Sequence, residues 1–295
     1  MTDTKASPAG YGAADGALAL VIGCGGLGMS IARALGRLRP LMVVDVDAAR
    51  LGDSVAALAE EGYAATGHCC DITRPDETRA LGEALNGGPG VRTLAHVAAV
   101  GMSIGDWRKM MDVDLVGAHL VAEAVGPHMV RGGAAILISS LASYLPARDK
   151  ALEDLLQNPR DAGFMEAIAR IHGKEPDFDW TYNYAKLGVN LLAERLAVEW
   201  GPRGVRALSL SPGMIDSPMA RAEGPTLPSH DGTEARVSRS DKAREIPLGR
   251  QGSMLEITSV VEFLASDAAS FLSGIDIPVD GGHRAAWRGK GIIER

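Results

Sequence analysis

Tyr182 and Lys186 stand four residues apart in TYNYAKLGVNLLAERLAVEW, the stretch from Thr181 to Trp200. Positions i and i+4 share one face of a helix, so a phenol and an ammonium would be neighbours there. A cation about 4 Å from a phenol favours the phenolate by roughly 4 kcal/mol at an effective dielectric of about 20. At about 1.36 kcal/mol per unit, that brings a tyrosine from near 10 toward neutrality, where it can exchange a proton at working pH. The competing reading is an exposed pair of little consequence. Tyr184 is a rival for the role, but the residue four beyond it is Gly188. Ser140 closes the run AAILISS, Ala134 to Ser140. At the end of a strand in an open α/β sheet, its hydroxyl can hold a substrate carbonyl oxygen. Ser139 points the other way, so only one of the two can serve.

A second group of residues suits a dinucleotide. VIGCGGLG holds Gly23-x-Gly25-x-x-Gly28 between an apolar run and a helical pattern. Such glycines let the backbone turn sharply and approach a pyrophosphate at a helix N-terminus. Asp45 follows Gly25 by 20 residues (45 − 25) and closes the next apolar run. Its carboxylate can accept both ribose hydroxyls of NAD and would repel the 2′-phosphate of NADP. A helix cap is the alternative for Asp45, although Asp47 is better placed to cap. No basic residue follows Asp45 immediately. Asp71, in CCDIT, can reach the adenine edge or cap the helix that follows TRPDE. His68, Cys69 and Cys70 invite a metal, but consecutive strand residues face opposite ways and cannot converge on one ion. No metal is expected.

These residues need a scaffold, and the hydrophobic pattern supplies one. Strand-like runs at ALALVIG, LMVVDVD, YAATGHCCD, VRTLAHVAA, AAILISS, VRALSLSPG and IDIPVDGG are separated by helical patterns. Strands alternating with helices imply right-handed crossovers and a doubly wound parallel α/β sheet of about seven strands. Composition agrees, with 46% hydrophobic residues, 4% aromatic and 36 glycines, as small-residue packing under a parallel sheet requires. The net charge of −7 without a basic run speaks against nucleic acid as a partner. Three cysteines, odd in number, suit a reducing cytoplasm better than a disulfide framework. No apolar run reaches membrane-span length. Residues 1–16 read as a flexible leader and 17–295 as one domain. Two segments interrupt the alternation: a helical insertion at 144–180, and a Gly-, Pro- and charge-rich stretch at 214–245 that reads as a substrate-loop lid. Apolar stripes in the insertion, at Leu152, Leu155, Leu156, Phe164, Met165, Ile168 and Ile171, must cover either their own domain or a partner subunit.

Together these stretches resemble the short-chain dehydrogenase/reductase family, standard-length branch. VIGCGGLG, CCDIT, HVAA, MDVDLVG, ILISSLAS, YNYAK, SLSPGMIDSPM and the long run IPLGRQGSMLEITSVVEFLASDAASFLSGIDIPVDGG carry the resemblance. It implies a Rossmann fold and a reversible hydride transfer between NAD and a secondary alcohol or ketone. Tyr182 would be the acid/base, Ser140 would orient the carbonyl, and Lys186 would lower the tyrosine pKa and bind the nicotinamide ribose. Cofactor contacts are implied at Gly23, Gly25, Leu27, Gly28, Asp45, Asp71, Ile72, Ala98 and Ala99, and at Tyr182, Lys186, Pro212, Gly213, Ile215 and Ser217. The glycine loop is one residue shorter than the family's usual spacing, and His96-Val97-Ala98-Ala99 replaces the frequent NNAG. Asp114 stands where a catalytic asparagine normally supports a relay water near the lysine; it is nearly isosteric and still accepts hydrogen bonds. His96 is expected to bond backbone. The 42 residues from Ser140 to Tyr182 (182 − 140) exceed the family's usual gap. A similar insertion marks the bacterial 3α-hydroxysteroid dehydrogenase/carbonyl reductase type, suggesting an alicyclic or steroid-like substrate and a homo-oligomer, a dimer rather than a tetramer, with the insertion in its interface. The alternatives are a catalytically silent dinucleotide-sensing or scaffold protein, and a 3-oxoacyl-type reductase, which usually prefers NADP.

Overall fold

The computed structural model describes residues 16–293 apart from 174–175, 223, 225 and 229–235. The expected leader therefore lies, but for Gly16, outside the described residues, as do parts of the two irregular segments. Seven strands form one sheet: β1 (Leu18–Ile22), β2 (Leu41–Asp45), β3 (Ala65–Cys69), β4 (Val91–His96), β5 (Met129–Ile138), β6 (Arg206–Pro212) and β7 (Asp276–Val279). All pair in parallel, in the order β7-β6-β5-β4-β1-β2-β3. The order reverses between β1 and β4, and an open sheet binds its ligands at the carboxyl ends beside such a reversal.

The helices are α1 (Gly26–Gly36), α2 (Ala48–Glu60), α3 (Pro75–Ala84), α4 (Trp107–Met111), α5 (Gly117–Val125), α6 (Lys150–Leu156), α7 (Phe164–His172), α8 (Phe178–Trp200), α9 (Pro218–Ala222), α10 (Arg239–Arg244), α11 (Met254–Ala265) and α12 (His283–Gly289). One face of the sheet packs on α3, α5 and α8 through Leu81, Leu85, Val121, Val189 and Leu192. The other packs on α1, α2 and α11 through Ile31, Leu35, Leu58, Ile257 and Val261. Burial on both faces explains why LALVI and LMVVD are nearly continuous apolar runs. β3, at the edge, reads ATGHC and is mostly exposed. Among the described residues no helix is long and apolar enough to cross a membrane.

Three elements depart from the sequence reading. β5 begins at Met129 rather than Ala134, because a register shift against β4 and a positive φ of 81° at Gly132 absorb the polar RGG. The join of α4 to α5 is a single π turn, Asp112–Val116. After β7 the chain forms α12, whose Trp287 packs with Ile293 on Leu141. The insertion folds as α6 and α7, capped by Asp149 at α6. Its stripe residues Leu152, Leu156, Phe164 and Ile168 are buried against Trp107, Met111, Leu115, Leu187 and Leu191 of α4, the π turn and α8. The stripe thus covers its own domain, and the expectation that Phe164 and Ile168 face a partner subunit is corrected: they are 4% and 0% exposed within one chain.

Candidate active site

The carboxyl ends of β1, β2, β4, β5 and β6 open into one cleft of about 1240 Å³. That exceeds a usual small-molecule pocket and leaves room for a dinucleotide and a second ligand. It is lined by Gly23, Gly25, Leu27, Gly28, Asp45, Asp71, Ile72, Ala98 and Ala99, and by Ser140, Tyr182, Lys186, Pro212, Gly213, Ile215 and Ser217. Asp114 is the expected site residue that does not line it; it lies buried behind Lys186.

At one end the glycine loop fits a pyrophosphate. Gly23 has φ 99°, and a Cβ there would lie 2.9 Å from the Ala98 backbone. A Cβ on Gly28 would lie 1.8 Å from the Gly23 carbonyl oxygen, so only glycine lets α1 start this close to β1. Gly25 has open space around its missing side chain. It is the N-cap of α1 and brings no side-chain cap, so the first amides of the helix face the cleft without a competing acceptor from that residue.

Asp45 is 7% exposed and accepts from the amides of Cys24, at 2.8 Å, and Asp47, at 3.0 Å. Arg50 also reaches it, with Nη2 at 2.5 Å from Oδ1 and Nε at 3.2 Å from Oδ2. Burial works to raise the Asp45 carboxyl, but Arg50 and the two amides outweigh it and hold Asp45 below its ordinary value. Arg50 was not singled out in the sequence; it follows Asp45 by one turn of α2, across the loop, rather than immediately. The cap of α2 is Asp47, which accepts from Ala49 and Arg50, so Asp45 does not cap. The Asp71 carboxylate accepts from the amide and hydroxyl of Thr73, at 2.9 and 2.7 Å. It does not cap α3, whose N-cap is Arg74.

At the other end, Lys186 is 2% exposed, which removes the reading of Tyr182 and Lys186 as a surface pair. Its Nζ lies 5.5 Å from the Tyr182 ring centroid and 3.0 Å from Asp114 Oδ2. Asp114 Oδ1 accepts from the Val100 amide at 2.8 Å, tying the π turn to the loop after β4. Burial works against the Lys186 ammonium, but Asp114 and the Tyr182 phenol outweigh it and hold it above its ordinary value. Burial raises the Asp114 carboxyl, with Lys186 and the Val100 amide pulling the other way. Ser139 donates to the Lys186 carbonyl at 2.9 Å, so its hydroxyl is spent on α8. Ser140 accepts from the Ala142 amide at 3.2 Å and keeps its proton for another acceptor. Tyr184 packs on Trp180, with centroids 4.2 Å apart, and does not line the cleft.

His96 is fully enclosed, and burial followed by the Lys186 charge lowers it to about 4, so it is neutral at physiological pH. Burial pushes the Cys24 thiol to about 11 and Cys70 to about 12, so neither is a thiolate there. No group of three metal-ligating side chains occurs among the described residues.

Residues 17–151 match the family model described as short chain dehydrogenase, and residues 160–284 match the one described as enoyl-(acyl carrier protein) reductase. The stretch between the two matches falls in α6 and the turn after it. The chain is similar to cis-4-hydroxycyclohexanecarboxylate dehydrogenase of Sinomonas cyclohexanicum, 29% identical over 88% of this chain and 93% of that one. It is similar to D-threitol dehydrogenase of Mycolicibacterium smegmatis, 28% identical over 91% and 93%. A solved short-chain type dehydrogenase/reductase from Mycobacterium ulcerans superposes with a TM-score of 0.70 at 27% identity, covering 91% of this chain and 90% of that one.

Proposed function

The chain belongs to the short-chain dehydrogenase/reductase family, enzymes acting on CH–OH groups, and from that premise we propose an NAD-dependent dehydrogenase of a secondary alcohol with an alicyclic body. The observation that carries this reading is the single cleft that joins the glycine loop and Asp45 to Ser140, Tyr182 and Lys186. Gly23, Gly25, Gly28 and the α1 amides would hold the pyrophosphate, Asp45 the adenosine ribose, and Lys186 the nicotinamide ribose. When bound, the nicotinamide supplies an acceptor for the electron pair of the carbinol C–H bond.

The residues of the chain do the rest. Ser140 donates its hydroxyl proton to the substrate oxygen and holds it beside Tyr182. The Tyr182 phenolate oxygen takes the proton of the carbinol O–H as C=O forms and the C–H pair leaves; in the reverse direction the phenol returns that proton. Lys186 stabilises the phenolate by its charge. Asp114 holds Lys186 in place and takes up part of that charge. The Leu141, Leu145 and Trp287 wall supports an alicyclic substrate body, and relatives acting on hydroxycyclohexanecarboxylate and on threitol support a small secondary alcohol. Arg50 sits on Asp45 and narrows the preference for NAD without reversing it. The three cysteines are unpaired, which supports a cytoplasmic setting. Exposed Leu255, Phe263 and Phe271, on and after α11, support a homo-oligomer. The test is a panel of secondary alcohols and ketones with NAD(H) and NADP(H), followed at the reduced-nicotinamide absorbance. Tight NADH binding without turnover of any member would instead favour a catalytically silent dinucleotide-binding protein.

A further inference from the structure

A second cavity, of about 790 Å³, lies outside the cleft, between α5, α8 and the turn that follows α6. Small-molecule sites commonly enclose about 300–1,000 Å³. His119 and Glu123 of α5, Arg195 and Glu199 of α8, Arg160 of the turn and Arg203 all line it. The turn belongs to the insertion, so the insertion supplies one wall.

The proton on His119 is placed by its neighbour. Arg195 Nη2 lies 3.1 Å from His119 Nδ1. A guanidinium only donates, so Nδ1 offers its lone pair and a neutral ring holds its proton on Nε2. The ring is neutral because burial, with the charges of Arg195 and Arg160, lowers it to about 3. Nε2 is therefore a donor in a residue 5% exposed, and among the described residues nothing accepts from it.

Arg195 repeats the pattern. Its Nε is also buried, and no described residue accepts from it. The Glu199 carboxylate is 3.8 Å away, an ion-pair distance but not a hydrogen bond. Arg160 is answered by Glu123. Arg203 donates to the Gly126 carbonyl at 2.9 Å, lies over Trp200 and makes no ion pair among the described residues. The cavity thus holds two buried N–H donors on adjoining side chains that its own carboxylates leave unanswered. Buried donors are normally paired, and an oxyanion makes the stronger kind of pair.

We propose that this cavity binds a small organic anion, whose carboxylate or phosphate oxygens accept from His119 Nε2 and Arg195 Nε while the exposed Arg203 adds charge. The site is separate from the cleft and does not rest on the dehydrogenase reading.

The test is calorimetric titration of the full chain with sodium phosphate and with sodium succinate, at an ionic strength fixed by sodium chloride. Saturable binding of at least one is expected, and the tighter of the two names the anionic group. Arg195→Leu should weaken that binding by about tenfold or more, as expected when a charge-assisted hydrogen bond is removed. His119→Phe keeps a ring but no N–H and should also weaken it, whereas His119→Gln restores a donor and should recover part of the loss. A merely structural role would not give that order. The Arg195 side chain is 36% exposed, so its variant, checked for folding by circular dichroism, decides the matter if the changes at the buried His119 prevent folding. Phosphate can also seat at the glycine loop, and binding there would be untouched by Arg195→Leu. Binding unchanged in Arg195→Leu overturns the proposal, as does the absence of saturable binding of either anion, which would mean a cavity filled by water.

Discussion

At the scale of single residues, two charges do more than the spacing of Tyr182 and Lys186 suggests. The first is Asp114, which pairs with the buried Lys186 at 3.0 Å and so offsets the charge that would favour the phenolate. Neutralising Asp114 should strengthen the pull of Lys186 on Tyr182. Asp114→Asn is therefore expected to remain active, with the acid limb of its kcat profile for alcohol oxidation moved to lower pH by about one unit. Asp114→Leu, which cannot accept from the Val100 amide or meet Lys186, should lose most activity. An unshifted profile in Asp114→Asn, or a fully active leucine variant, would reduce the position to packing. Tyr182→Phe should lower kcat by about 10²-fold or more while NADH still binds, since the ring remains and only the proposed proton carrier is gone. The second charge is Arg50, seated on Asp45. Asp45→Ser should narrow the proposed preference for NAD over NADP. Arg50→Ala should widen it by about tenfold, because an uncompensated carboxylate repels the 2′-phosphate more strongly. Paired kcat/KM values for both cofactors check both signs, and a narrower preference in Arg50→Ala would contradict the assignment.

At the scale of elements, the π turn and the insertion decide the geometry. The π turn between α4 and α5 buries Asp114 behind Lys186, and the amide of Val100 fixes it there. The insertion helices lie over α4 and α8 and bury Phe164 and Ile168. Ile168→Ala should therefore destabilise the chain by about 2–5 kcal/mol, as for other large-to-small changes in a core. Phe164→Asp together with Ile168→Asp should abolish the folded state rather than divide an assembly. Urea unfolding would measure the first, and soluble yield with circular dichroism the second. A folded double variant with an unchanged midpoint would show that the stripe is not core.

At the scale of the whole molecule, two buried histidines couple folding to pH. His96 and His119 are 3% and 5% exposed, and burial lowers them to about 4 and about 3. Below the ordinary histidine range the unfolded chain binds protons that the folded chain refuses, so stability falls as pH drops through 6.5 toward those values. By pH 5 each should have removed roughly 2 kcal/mol. Thermal midpoints measured from pH 8 to 5 should therefore fall on the acid side, and a flat profile would mean the two rings are hydrated. The alternating strands, the glycine loop and the Tyr182–Lys186 pair were legible in the sequence because each rests on a local period or on a helical spacing of four, and Asp45 and Ser140 were legible as residues that close apolar runs. Asp47 was legible as the cap of α2 for the same reason. Tertiary structure alone decided what lies between distant segments. The partner of Lys186 lies 72 residues upstream (186 − 114) across a π turn that no periodicity announces. The side chain over Asp45 comes from α2, Leu152, Leu156, Phe164 and Ile168 of the insertion are buried on their own domain, and α12 closed the cleft with His283 and Trp287. Contacts of this kind depend on how elements pack, and packing is decided by shape and burial summed over the whole chain rather than by any one stretch of it.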